Sequence, residues 1–204
     1  MKILLPSLLF LLSMLANAQQ VDTLYYTGGQ LKSIGASENE LSQGLWKFFY
    51  PSGKLSAELN YQSGMLDGIQ LYYHQNGQMS ARESWSEDLM QDSAYYYYQD
   101  GKLEKKGLML DGLYDGQWLF YYENGNTKRI GTYKDGLPHD DWIFYFEDGT
   151  LWQEGGFKEG KEHGLWTFYE NNQPTYEGNY ENGVEAGDWY RFTKKGVKKK
   201  WKTY

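Results

Sequence analysis

From Gly44, steps of 24 residues land on Gly68, Asp92, Gly116, Asp140 and Gly164, and one slightly shorter step reaches Gly187. Nine residues after each start stands a turn residue: Gly53, Gly77, Gly101, Gly125, Gly149, Gln173 and Gly196. One step back from Gly44 gives Gln20, with Gly29 nine residues later, so the series holds eight copies. A fixed period of this length marks a repeat array, in which each unit packs only on its neighbours. Such a chain presents an extended surface rather than a single enclosed pocket.

The unit from Gly116 reads G-Q-W-L-F-Y-Y-E-N-G-N-T-K-R-I-G-T-Y-K-D-G-L-P-H. Trp118, Phe120 and Tyr122 alternate with Leu119 and Tyr121, which is the period of a strand. Glu123-Asn124-Gly125 and Glu147-Asp148-Gly149 read as tight turns, with Asn-Gly and Asp-Gly supplying positive φ. A second strand follows, ending in Gly131-x-Tyr133 or Gly155-x-Phe157, and Lys134-Asp135-Gly136 or Lys158-Glu159-Gly160 turns into the next unit. No window carries helical periodicity with caps. The expected fold is therefore all-β: one elongated single-sheet array of about eight β-hairpins, with repeat starts near 20, 44, 68, 92, 116, 140, 164 and 187. A hairpin alone buries too little, so stacking must supply each unit's partner.

Stacking lines equivalent residues up in columns. Neighbours along a strand face opposite ways, so two aromatic columns follow. One face carries Trp46, Trp118, Trp142, Trp166 and Trp189 with the Phe-rich column Phe48, Tyr72, Tyr96, Phe120, Phe144 and Phe168; Leu24 and Arg191 end that column. This face is assigned to the core, and Gly131 and Gly155 leave room for rings to lie flat. The opposite face carries Tyr25, Phe49, Tyr73, Tyr97, Tyr121, Tyr145, Tyr169 and Phe192. Tyrosine suits a half-wet ring, so Tyr73, Tyr97, Tyr121, Tyr145 and Tyr169 are the partner-binding candidates.

Residues 1–18 read as a signal peptide and 19–204 as the repeat domain. Met1-Lys2 is a positive start, Ile3 to Leu15 an apolar run, and Ala16-Asn17-Ala18 a cleavage site. The mature chain is then exported, periplasmic or secreted. The formal charge is -7, which argues against a nucleic-acid partner, since phosphate contacts need clustered Lys and Arg. With no cysteine, disulfides and thiolate chemistry are absent.

Tyr176-Glu177-Gly178-Asn179-Tyr180-Glu181-Asn182-Gly183, running on to Gly187-Asp188-Trp189, resembles the MORN repeat. Gly131-Thr132-Tyr133-Lys134-Asp135-Gly136 and its counterpart from Gly155 share the same core. The W-x-F-Y-x-x-x-G half is similar to bacterial MORN-variant proteins of the YwqK antitoxin-like family. The resemblance implies a binding scaffold: a protein partner, a phospholipid head group or, for the bacterial variants, an antitoxin role. The acidic balance and export fit poorly with leaflet binding and with a cytoplasmic toxin.

No residue set points to catalysis, a cofactor or a metal. His139 and His163 share one repeat position, but that position elsewhere holds Asp67, Gln91 and Asp115, as a solvated turn would. Each acidic residue that the repeat pattern places falls on a recurring turn, and no unit departs from the pattern as a catalytic unit should. Lysines 194 to 202 read as protection of the open sheet edge. The expectation is a non-enzymatic, protein-binding scaffold. The alternatives are an antitoxin or immunity protein and an envelope glycan- or lipid-binding protein. Membrane or glycan contact and homo-oligomerisation stay open.

Overall fold

The computed structural model describes residues 20–204; the expected signal peptide lies outside them. The described chain forms one open antiparallel sheet of 18 strands, each following the last in sequence. Its edges are Gln20–Tyr25 and Lys198–Thr203. In the repeat at Gly116 the outward strand is Leu113–Tyr121 and the return strand Thr127–Lys134. Eight such hairpins make up the array.

The Trp face is the core, and glycine is the reason. Trp46, Trp118, Trp142, Trp166 and Trp189 are all buried. Each ring lies on a glycine of the preceding return strand: Gly35, Gly107, Gly131, Gly155 and Gly178. A Cβ at any of these five would overlap the indole. Burying one such ring contributes up to about 4–6 kcal/mol, which outweighs the roughly 0.5–1 kcal/mol that a strand glycine costs. Return-strand rings then fill the gaps. Trp118, Tyr133, Trp142, Phe157, Trp166, Tyr180 and Trp189 meet edge to face in one row, with centroids 5.1 to 6.4 Å apart. Each such pair adds about 0.5–1.5 kcal/mol.

The two kinds of turn are chemically distinct, and the Asn-Gly expectation needs correction. At Tyr122 to Asn126 only Gly125 has positive φ, and Gly125 N–H donates to Tyr122 O at 2.9 Å. Asn124 instead accepts from the Asn126 N–H through Oδ1 at 2.8 Å. The asparagine makes a side-chain turn and the glycine takes the left-handed position of a longer loop. Paired positive φ occurs at the opposite end of the sheet, as at Asp135-Gly136. There each turn hangs on the one before: Gly112, Gly136 and Gly160 N–H groups donate to Met90, Tyr114 and Pro138 carbonyls at 2.9 to 3.0 Å.

The Gly/Asp position that starts each unit is a third site of positive φ, at Gly44, Gly68, Asp92, Gly116, Asp140, Gly164 and Gly187. It lies inside or at the start of the outward strand, where the ladder to the preceding strand loses register, as between Lys106 and Leu108 opposite Leu119 and Asp115. Glycine and aspartate tolerate that backbone better than most residues. Of the terminal lysines, Lys198, Lys199, Lys200 and Lys202 sit on the edge strand while Lys194 and Lys195 lie in the turn before it, and three reach back to carboxylates: Lys198 to Glu177, Lys200 to Asp188 and Lys202 to Glu185.

A further column ties repeat to repeat. The hydroxyls of Tyr26, Tyr50, Tyr98 and Tyr122 donate to the carbonyls of Phe49, Tyr73, Tyr121 and Tyr145 at 2.6 to 2.8 Å. His74 Nε2 makes the same link to Tyr97 O at 2.8 Å. At the next repeat Phe146 has no hydroxyl and packs on Trp152 instead. Tyr122→Phe should therefore lower stability by about 1 kcal/mol in urea unfolding, and Phe146→Tyr should raise it by a smaller amount. No change in either midpoint would remove this staple from the account.

Candidate functional site

Two aromatic surfaces are candidates, one on each face. The predicted tyrosine column lies opposite the Trp face, and all five of its candidates are half-buried. The structure divides them. Tyr73 donates to Glu58 Oε2 at 2.8 Å and Tyr169 to Glu154 Oε1 at 2.6 Å. Burial, then these carboxylates, push both phenols up to about 12. The central three, Tyr97, Tyr121 and Tyr145, sit between them with Leu119, Ile130 and Ile143 on the same face. Among the described residues none takes a hydrogen bond from these three hydroxyls. The backbone around them is fixed, because the carbonyls of Tyr97, Tyr121 and Tyr145 receive the staples from His74, Tyr98 and Tyr122. Rigid rings with free hydroxyls on an apolar floor suit recognition of an amphipathic partner.

The Trp face breaks its own pattern in the middle, and here the expectation that the acidic residues fall on turns is corrected, since Glu83 lies within the strand Met79–Ser86. In the units at Gly68 and Asp92, Gln70 and Ala94 stand where the units at Gly44, Gly116, Asp140, Gly164 and Gly187 have Trp; the first unit has Asp22 there. The glycine that would lie beneath is lost with the ring, replaced by Leu59 and Glu83. Gln70 keeps half of the tryptophan's work. Its Nε2 donates to Asn60 O at 3.1 Å, ten residues back. Trp46, Trp118, Trp142 and Trp166 donate to the equivalent carbonyls of Ala36, Leu108, Thr132 and Gly156.

Glu83 is buried at this break, and Trp85 Nε1 donates to its Oε2 at 3.0 Å. Burial and then Glu83 push the Tyr72 phenol up to about 12 and Tyr96 up as well. Lys105 Nζ lies 4.2 Å from the centroid of the Tyr96 ring and donates to the Tyr114 hydroxyl at 2.7 Å. The Glu83 side chain is thereby satisfied by the Trp85 indole and set beside the Tyr72 and Tyr96 phenols, as a buried polar group requires. The loss of Trp and of its glycine together could have revealed this knot, because the two columns run eleven residues apart.

The histidines do not converge. His139 Nδ1 lies 3.0 Å from Asp140 Oδ1, while His163 pairs across from Gly156 on another strand. Among the described residues no group of three His, Cys, Asp or Glu is placed to hold a metal.

Tyr72, Tyr73 and Tyr169 ionise near 12 in the folded chain, and an unfolded tyrosine near 10. Their stabilising effect is complete below pH 10 and is lost as pH rises through 12. In Glu58→Gln the Tyr73 ionisation should move toward 10, read as extra tyrosinate absorbance at intermediate pH. An unchanged titration curve would show that Glu58 does not hold the ring.

With the geometry in place, comparison with protein families gives one match. A family model described as MORN repeat variant matches residues 42–63, 66–86, 114–135, 141–159 and 162–182, just over half of the chain. The internal stretch left unmatched between 86 and 114 contains Ala94, where the Trp–Gly pair is missing. No curated protein matches the chain.

Proposed function

The chain belongs to the MORN repeat variant family, and we propose that it is an exported, non-enzymatic scaffold that binds a protein partner through the tyrosine face. The observation that carries the reading is the central trio Tyr97, Tyr121 and Tyr145, half-buried, with hydroxyls that none of the described residues takes up. Large rings held by a stapled backbone lose little conformational freedom on binding. Tyr73 and Tyr169 bound the surface, since their hydroxyls serve Glu58 and Glu154. Export rests on the residues Met1 to Ala18 and the rule for signal cleavage. The W-x-F-Y-x-x-x-G half of the unit supports the YwqK-like branch of the family; an antitoxin or immunity role would then require a toxic neighbour whose effect this chain suppresses.

The test is a pull-down with Gln19 to Tyr204 against the envelope fraction of its own host, read by mass spectrometry. The triple variant Tyr97→Ser, Tyr121→Ser, Tyr145→Ser is the control. The expected result is one protein retained by the parent and lost with the variant, whose far-ultraviolet dichroism still reports an intact sheet. A variant that unfolds would make the trio structural. Retention of glycan or lipid, with no specific protein, would also contradict the proposal.

A further inference from the structure

On the Trp face, three columns break together in the last two repeats. The Phe-rich column ends in Arg191, which is exposed. The column beside it is small or polar in six repeats (Ser33, Ala57, Ala81, Lys105, Arg129, Gln153) and becomes Tyr176 in the seventh. The edge strand carries one extra residue. Trp189 pairs with Lys202 and Tyr190 with Lys200, so Trp201 is bulged out of the ladder. A bulge re-aims a side chain, and here it sets Trp201 beside Tyr176, with centroids 5.1 Å apart and planes tilted by 54°. In an array where neighbours repeat each other, coincident departures at one spot build a local feature.

That feature is an open trough of about 290 Å³, lined by Phe168, Tyr176, Tyr180, Trp189, Trp201 and Glu185. Its size falls at the small end of the roughly 300–1,000 Å³ of small-molecule sites, and aromatic walls with a few polar groups are their usual lining. Tyr176 and Trp201 are 41% and 46% exposed, so two large rings stand open at the rim. Glu185 Oε2 lies 3.7 Å from Lys202 Nζ. That is too long for a hydrogen bond, so both groups keep capacity for a ligand. The indole N–H of Trp189 is buried and has no partner among the described residues, whereas four other column indoles donate to backbone.

We propose that this trough is a saccharide subsite that takes one pyranose ring on Trp201 and Tyr176. A pyranose has an apolar C–H face that stacks on aromatic rings and equatorial hydroxyls that reach Glu185 and Lys202. A cationic ligand fits less well, because Lys202 Nζ already lies 4.4 Å from the Trp201 centroid and 3.7 Å from that of Tyr204. A purely apolar side chain would leave Glu185 unused. The subsite lies on the face opposite Tyr97, Tyr121 and Tyr145 and does not depend on the protein-partner proposal.

The experiment is a tryptophan-fluorescence titration of the chain from Gln19 to Tyr204 with soluble hexasaccharides of β-1,4-linked glucose and of β-1,4-linked N-acetylglucosamine. Tetramethylammonium serves as the cationic probe. Saturable quenching by a hexasaccharide is expected. Trp201→Ala should raise its Kd by at least about tenfold, Tyr176→Ala and Glu185→Gln by several-fold, and Arg82→Ala on the other face should leave it unchanged. All four positions are at least partly exposed, so the variants should keep the parent's unfolding midpoint. No saturation by either sugar, equal affinity in Trp201→Ala, or Trp201-dependent quenching by tetramethylammonium alone would each overturn the assignment.

Discussion

Everything in this sheet depends on an indole lying flat on a glycine of the neighbouring hairpin. A single layer of strands has no second layer to bury its rings, and a tryptophan standing upright on such a sheet would be half in water. Removing one Cβ lets the ring lie down, where the edges of Tyr133, Phe157 and Tyr180 close over its sides. The contact always joins one repeat to the next: Trp118 rests on Gly107 and Trp142 on Gly131. A unit therefore completes its core only in company. The same logic explains the middle of the array, where Gln70 and Ala94 stand over Leu59 and Glu83. Large residue above with none below, or small above with larger below, both fill one volume, in keeping with the density that cores require.

The rest of the sheet is arranged so that local chemistry agrees with that stacking. At one end, side-chain turns at Asn124 and Asp148 set the loop, and the hydroxyls of Tyr26, Tyr50, Tyr98 and Tyr122 bind four of the loops to the next repeat. At the other end, two-residue turns bond backbone to backbone. Between them, Gly or Asp at each unit start absorbs the irregularity in the ladder. Propensity, turn chemistry and packing thus point to one register, which is what makes a repeated sequence fold to one structure. Departures from the columns then stand out as places where something else is being done: Glu83 among Tyr72, Tyr96 and Trp85, and Trp201 beside Tyr176.

Much of the architecture was legible in the sequence because a period multiplies weak signals. The strands, the eight hairpins, the Trp face and the glycines beneath it could be read from columns alone. Three things could not. Asn-Gly before a longer loop looks the same in sequence as Asn-Gly in a two-residue turn; only the hydrogen bonds of Tyr122 and Gly125 distinguish them. The tyrosines at 26, 50, 98 and 122 recur as plainly as the chosen ladder, but reading them as staples needs the distance to a carbonyl 23 residues on. The candidate ladder was placed on its face correctly, yet nothing in its spacing separates Tyr73 and Tyr169, which serve carboxylates, from the three tyrosines between them. Trp201 was hidden as well, because a bulge shifts it out of every column.

The measurement that bears most directly on this account is a double-mutant cycle at one indole–glycine contact, made with Gly131→Ala, Trp142→Ala and both together in equilibrium urea unfolding. A methyl group at 131 collides with the ring only when the ring is there. The account predicts a clear loss of stability for Gly131→Ala in the parent, little or none in the Trp142→Ala background, and a coupling energy of about 2 kcal/mol. An equal cost of Gly131→Ala with and without the indole would mean that the glycine serves the backbone alone, and would contradict the contact on which the array is said to rest.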